Sequence, residues 1–152
     1  MIKKFPSELR FDPVSKDWIL IATGRARRPE TFGKEILQRA QDCPFCQLPG
    51  EWFVKVIPNK YPPFSPNNTL EKREEGPYQV MDGVGFAEVV VTKDHSKSMA
   101  QFSIPEIRQV LDVYHERYLD LMNEKFVNYV SIFHNHGKIA GATISHPHSQ
   151  II

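Results

Sequence analysis

His146, His148 and Gln150 stand two residues apart in the closing stretch Ser145-His146-Pro147-His148-Ser149-Gln150-Ile151-Ile152. In an extended chain, side chains two apart share a face. The spacing therefore predicts two imidazoles and an amide along one side of a strand, with Pro147, Ser149 and Ile151 on the other. Proline is tolerated in a sheet only near a strand's start or on an edge, so the strand should begin about here. Two imidazoles and an amide make a poor core and a plausible reaction centre. A polar strand face turned to solvent is the plain alternative, and the stretch alone leaves both open.

Three further stretches carry reactive side chains. Cys43-Pro44-Phe45-Cys46 brings two thiols to one point, as a zinc knuckle or a redox pair requires. A redox pair would want a βαβ context, which the surrounding pattern lacks. Zinc would need histidines or carboxylates from elsewhere, since there is no second C-x-x-C. Two buried free cysteines are the other reading. His95, in Asp94-His95-Ser96, follows an apolar run; a lone histidine at a strand end is a surface residue unless something else demands it. Gly24-Arg25-Ala26-Arg27-Arg28-Pro29 sets three arginines in a loop. Such a cluster is either solvated surface or a clamp for phosphate or carboxylate, which the forked guanidinium suits.

The elements that must position these groups follow from periodicity. Trp18-Ile19-Leu20-Ile21, Trp52 to Ile57, Phe86 to Thr92 and Phe126 to Phe133 are rich in β-branched and aromatic residues and read as strands. Residues 5–16 read as polar and turn-like, and Asn59 to Gly83 as one long connection, usually functional or mobile in a compact domain. Ser103-Ile104-Pro105-Glu106 has capping-box spacing. Ile107, Val110, Leu111, Tyr114, Tyr118, Leu121 and Met122 follow at helical spacing, predicting one amphipathic helix over about 104–124 whose stripe is core. His115 beside it reads as helix surface. The loop 134–141 joins strand 126–133 to the histidine strand as an antiparallel hairpin, placing Asn135 near one end of it. The order predicts an α+β fold: an antiparallel sheet with one main covering helix.

At 152 residues, 41% hydrophobic and with a formal charge of +1, the chain is of globular composition, long enough to bury a core. The charge gives no electrostatic case for nucleic acid or membrane, so any phosphate site must be local. No apolar run approaches the roughly 20 residues that span a bilayer, and Met1 to Pro6 lacks a signal peptide's apolar stretch. Two cysteines three apart cannot staple a distant loop, which points to a reducing cytoplasm. The chain stops at Ile151-Ile152 without cap or polar tail, which reads as a cut within a longer protein.

Cys43-Pro44-Phe45-Cys46, Asp94-His95-Ser96 and His146-Pro147-His148-Ser149-Gln150, in that order, resemble the N-terminal half of the galactose-1-phosphate uridylyltransferase family, in the histidine-triad superfamily. The likeness runs through essentially the whole chain. It includes the arginine cluster, Pro58-Asn59-Lys60-Tyr61 and an asparagine-glycine loop before the histidine strand. It implies a histidine-triad-like domain over 1–152, half of a longer two-half, homodimeric enzyme. Zinc would be held by Cys43, Cys46, His95 and His146, a closed, structural set. His148 would be the nucleophile that takes UMP from UDP-glucose as a nucleotidyl-histidine and passes it to a hexose 1-phosphate such as galactose 1-phosphate. Gln150 stands where triad hydrolases carry a third histidine. It can donate to phosphoryl oxygens without acting as an acid or base, so the intermediate waits for a sugar phosphate. Arg25, Arg28, Asn59, Asn135 and Thr143 match nucleotide-contacting positions, Thr143 standing where serine is frequent. Ser145, where many members have proline, is similar to relatives that use ADP-glucose or dinucleoside polyphosphates, which leaves a phosphorylase or adenylyltransferase as the alternative. A non-catalytic, zinc-stabilised nucleotide-binding module is the second alternative.

Overall fold

The computed structural model describes residues 7–22, 39–66, 70–137 and 142–152. Among these residues the strands are β1 (Glu8–Phe11), β2 (Trp18–Ile21), β3 (Val54–Pro58), β4 (Lys72–Glu75), β5 (Tyr78–Asp82), β6 (Glu88–Thr92), β7 (Ile132–Asn135) and β8 (His148–Ile151), with an α-helix, α1 (Ile104–Met122). They form two four-stranded sheets, ordered β2-β1-β5-β4 and β3-β6-β8-β7. Every pairing within both sheets is antiparallel. The α+β expectation holds, and a second sheet is added to it.

The added sheet comes from two stretches that the sequence reading took as turn and connection. In 5–16 the turn is real but shorter: Asp12 Oδ1 accepts from Val14 N at 2.8 Å, and Asp12 N donates to Asp17 O at 2.8 Å. It joins β1 to β2. The β4–β5 hairpin turns at Gly76, whose φ of 61° is left-handed. Lys72-Arg73-Glu74-Glu75 has no apolar alternation, so periodicity carries no strand signal there. Charge pairing does the work instead, with Arg73 reaching Asp82 at 2.7 Å, Glu75 at 2.9 Å and Glu8 at 3.3 Å.

The second sheet carries the reactive strand. In β8, Ser149 and Ile151 pair in register with Val90 and Glu88 of β6 and with His134 and Ile132 of β7; this row faces α1. Val90, Leu121 and Ile151 are buried there, with Val54, Val56, Val113, Tyr114 and Ile132 packed around them. Burying such side chains stabilises by about 1.5–3 kcal/mol each. The opposite face carries Val89 and Val91, buried against Cys43 and Phe45.

Helix α1 begins as expected: Glu106 Oε2 accepts from Ser103 N at 2.7 Å, closing the capping box. Its apolar stripe is wider than the face it buries. Val110 and Leu121 are inside, whereas Leu111, Tyr118 and Met122 are 51%, 41% and 36% exposed, so not all of the stripe is core. His115 is exposed, as expected. The apolar run 126–133 becomes strand only from Ile132. Before that, Phe126 stacks on Phe86 with ring centroids 5.5 Å apart, so its apolar character serves loop packing. Ser131 and Ile152 exchange backbone hydrogen bonds of 2.7 and 2.9 Å beyond the strand ends.

Candidate active site and metal centre

Three segments far apart in sequence converge at one end of the second sheet. A 3-10 turn, Ala40–Asp42, leads into Cys43, whose N–H donates back to Ala40 O at 3.3 Å. A tight turn over 44–47 then brings Cys46 beside it. His95 follows β6 in a loop fixed by Asp94: one carboxylate oxygen accepts from Ser96 N at 2.9 Å and Lys97 N at 3.1 Å. These bonds, Ser96 N first, hold the Asp94 carboxyl below its ordinary range. His146 enters just before β8 and is fully buried.

The four side chains meet. Cys46 Sγ lies 3.2 Å from His95 Nδ1 and 3.5 Å from His146 Nδ1, and Cys43 Sγ lies 3.5 Å from His146 Nδ1. One ligand atom from each of the four falls within 4.8 Å of every other. His146 Nε2 donates to Thr92 O at 2.8 Å. That outer bond fixes the tautomer and turns the bare Nδ1 towards the sulfurs, the usual arrangement behind a metal-binding imidazole. Burial, then the charge of His95 and His148, holds His146 below the ordinary histidine range, so it is neutral as a ligand must be. Burial and the neighbouring Cys43 sulfur push the Cys46 thiol up to about 11. The cluster is compatible with a metal ion.

His148 opens β8 and is 8% exposed. Its Nδ1 donates to His146 O at 2.9 Å, the bond that in a neutral imidazole puts the lone pair on Nε2. In register, His148 lies opposite Val91 and Asn135, and Gln150 lies opposite Val89 and Phe133. His148 and Gln150 thus share a face, as the alternation required. His146 differs from the expectation: it precedes the strand, held by its bond to Thr92. Its ring nevertheless meets the same aromatic neighbour as His148, Phe45, with centroids at 5.6 and 5.3 Å.

The matched nucleotide positions are placed unevenly. Asn135 pairs directly with His148 along the backbone, and half-buried Thr143 lies in the bend leading into β8. Asn59 follows β3: its N–H donates to Ala87 O at 2.9 Å and its Oδ1 accepts from Tyr61 N at 2.9 Å. The rows through Pro58–Glu88–Ile151 and Lys55–Val91–His148 are three residues apart, so Asn59 lies about 13 Å from His148 along the strands, at 3.3 Å per residue. Arg25 and Arg28 lie outside the described residues.

The helix side of β8 holds a group the sequence reading passed over. Buried Ser149 hydrogen-bonds to Tyr114 of α1, and its Oγ lies 2.8 Å from His134 Nδ1 of β7. Burial, then the charge of His136 and His148, holds His134 below the ordinary range. The alternation had assigned Ser149 to the face opposite the histidines, which was the available signal. Its partners come from two other elements, beyond what spacing reveals.

The model of the galactose-1-phosphate uridyl transferase N-terminal domain matches residues 2–152. The chain is 31% identical to a galactose-1-phosphate uridylyltransferase of Thermotoga maritima, over 95% of this chain and 45% of that protein. It is also 31% identical to an ADP-glucose phosphorylase of Arabidopsis thaliana, over 95% of this chain and 48% of that one. Among solved structures, a uridylyltransferase superposes with a TM-score of 0.74 at 29% identity, over 95% of this chain and 44% of that one. The chain thus spans about half the length of these relatives. With its cysteine–histidine cluster and histidine strand in place, it belongs to the galactose-1-phosphate uridyl transferase family, whose N-terminal domain it matches almost from end to end.

Proposed function

We propose that the chain is the nucleophile-bearing half of a uridylyltransferase that moves UMP between UDP-glucose and galactose 1-phosphate. The observation that carries this reading is the His148 Nδ1 bond to His146 O, which in a neutral imidazole puts the lone pair on Nε2, on the strand that also carries Gln150. His148 Nε2 attacks the α-phosphorus of UDP-glucose. The N–P bond forms, the bond from phosphorus to the bridging oxygen breaks, and glucose 1-phosphate leaves with that oxygen. A phosphate oxygen of galactose 1-phosphate then attacks the same phosphorus, the N–P bond breaks, and UDP-galactose departs. Gln150 donates to the phosphoryl oxygens in both steps. Asn135 and Thr143 contact the nucleotide near the phosphates, Asn59 at its far end, and Arg25 and Arg28 complete the anion site.

The metal in this reading is zinc, held by Cys43, Cys46, His95 and His146. Tetrahedral zinc, with bonds of about 2.3 Å to sulfur and about 2.05 Å to nitrogen, sets sulfur and nitrogen about 3.5 Å apart, the separation seen from His146 Nδ1 to both sulfurs. Four protein ligands leave no open position, so the ion would supply folding energy and a fixed anchor for the histidine strand. A reducing cytoplasm suits thiols used this way. Among the described residues no helix is long and apolar enough to cross a membrane. The resemblance extends the proposal to a homodimeric, two-half enzyme.

Isotope exchange tests the reaction. With UDP-glucose and labelled glucose 1-phosphate alone, a double-displacement enzyme exchanges label without any second sugar; absence of exchange in the complete protein would rule the reading out. A second reading, transfer of AMP from ADP-glucose, is favoured by the equal identity to the Arabidopsis phosphorylase. Thermal shifts with UDP-glucose against ADP-glucose separate the two, since only the bound nucleotide raises the melting temperature.

A further inference from the structure

On the helix side of β8, Ser149 Oγ bonds to Tyr114 Oη of α1 and lies 2.8 Å from His134 Nδ1 of β7. Tyr114 Oη also reaches Met99 Sδ at 3.7 Å, and a thioether can only accept. Burial, ahead of the charges of His136 and His148, holds His134 below the ordinary histidine range. Its ring is therefore neutral and has one proton to place, as each hydroxyl has. Three protons serve three contacts, and one arrangement uses all of them. His134 Nδ1–H donates to Ser149, Ser149 donates to Tyr114, and Tyr114 donates to Met99. If Tyr114 donated to Ser149 instead, Ser149 would donate to Nδ1, Met99 would receive nothing, and the ring proton would move to Nε2.

The chain of bonds ends at a sulfur on one side and at His134 Nε2 on the other. Among the described residues Nε2 is buried without a hydrogen-bond partner, and buried polar atoms are seldom left so. His134 lines a cavity of about 10 Å³ between α1 and β8, whose walls also include Thr92, Lys97, Tyr114 and Ser149. That volume is close to the least that holds one water, which also needs roughly two to four polar partners. Thr92 and Lys97 bring a hydroxyl and an ammonium group to the same walls.

We propose that this cavity is a site for one ordered water, which donates to His134 Nε2 at the open end of a directed chain of hydrogen bonds running through Ser149 and Tyr114 to Met99. The chain joins β7, β8, α1 and the 3-10 turn Met99–Gln101 through the residue between His148 and Gln150. It stands whether or not His148 transfers a nucleotide.

The direction of the chain is read from the ring proton. Long-range 1H–15N spectra of protein labelled at histidine show which nitrogen carries it, which X-ray maps at ordinary resolution do not; His134 is assigned by its loss in His134→Asn. The wild type carries the proton on Nδ1. Met99→Leu conserves volume and removes the last acceptor, so the chain reverses, the proton moves to Nε2 and the water turns to accept it. Tyr114→Phe forces the same reversal from one step nearer, and serves where Met99→Leu fails to fold. A wild type with its proton on Nε2, or a proton still on Nδ1 in either folded variant, overturns the proposal. The water is read from a crystal structure of the wild type at a resolution that orders buried solvent. Density for one water within hydrogen-bond distance of Nε2 is expected, and an ordered His134 ring with no density there overturns the site.

Discussion

Replacing Ser149 with alanine removes one hydroxyl and strands two partners. Ser149 is 2% exposed, and Tyr114 Oη and His134 Nδ1 both reach its Oγ from different elements. Tyr114 keeps a weak acceptor, Met99 Sδ at 3.7 Å, so its loss falls at the low end of the 1–3 kcal/mol cost of an unsatisfied buried group, about 1 kcal/mol. His134 fares worse. Among the described residues its Nε2 is already buried without a hydrogen-bond partner, and losing the Nδ1 bond leaves the ring without either of its polar contacts there, at about 2 kcal/mol. The expected total for Ser149→Ala is about 3 kcal/mol. Tyr114→Phe leaves Ser149 bonded to His134 and should cost only about 1 kcal/mol. Urea unfolding followed by tryptophan fluorescence reads both, with unchanged slope marking a change in stability alone. If Ser149→Ala and Tyr114→Phe both fall within about 0.5 kcal/mol of the wild type, as ordinary surface substitutions do, the three groups do not form the hub described.

Metal removal should destabilise the chain by several kcal/mol, because structural zinc contributes directly to folding; a melting curve before and after chelation checks it, and an unchanged curve with metal confirmed absent refutes a structural role. His95→Ala, which leaves three ligands, should lower metal retention against a chelator more than His115→Ala, whose side chain is on the helix surface. The Glu106 carboxyl is held down from its ordinary value of 4.5 to about 2, first by Lys97 and then by Ser103. Its contribution is therefore complete above about pH 4.5 and is lost as pH falls towards 2. Glu106→Gln should flatten that part of the stability profile, and a profile still parallel to the wild type there would refute the assignment.

Much of the site was legible because its residues obey short-range rules. The alternation of His148, Ser149 and Gln150 in β8 gave the two faces, and Ser103 and Glu106 gave the start of α1. What brings Cys43, Cys46, His95 and His146 together is tertiary, and on local evidence Cys43 and Cys46 stayed ambiguous until the resemblance supplied partners. The β4–β5 hairpin was illegible for a different reason. Lys72, Glu74 and Glu75 face water, and Arg73 is held by carboxylates from β1 and β5, so no apolar period exists to read. The outer half of the α1 stripe misled in the opposite direction: Leu111 and Tyr118 keep the helical period yet remain exposed. Periodicity reports that a residue is apolar, not that something packs on it.

In the proposed reaction His148 is the residue that carries the transferred UMP. The direct measurement is to mix the complete protein with UDP-glucose labelled in the α-phosphate, quench without acid, digest and map the label. Acid-labile label is expected on the peptide containing His148, absent in His148→Asn and retained in His115→Ala. Stable label elsewhere, or undiminished label in His148→Asn, would contradict that reaction.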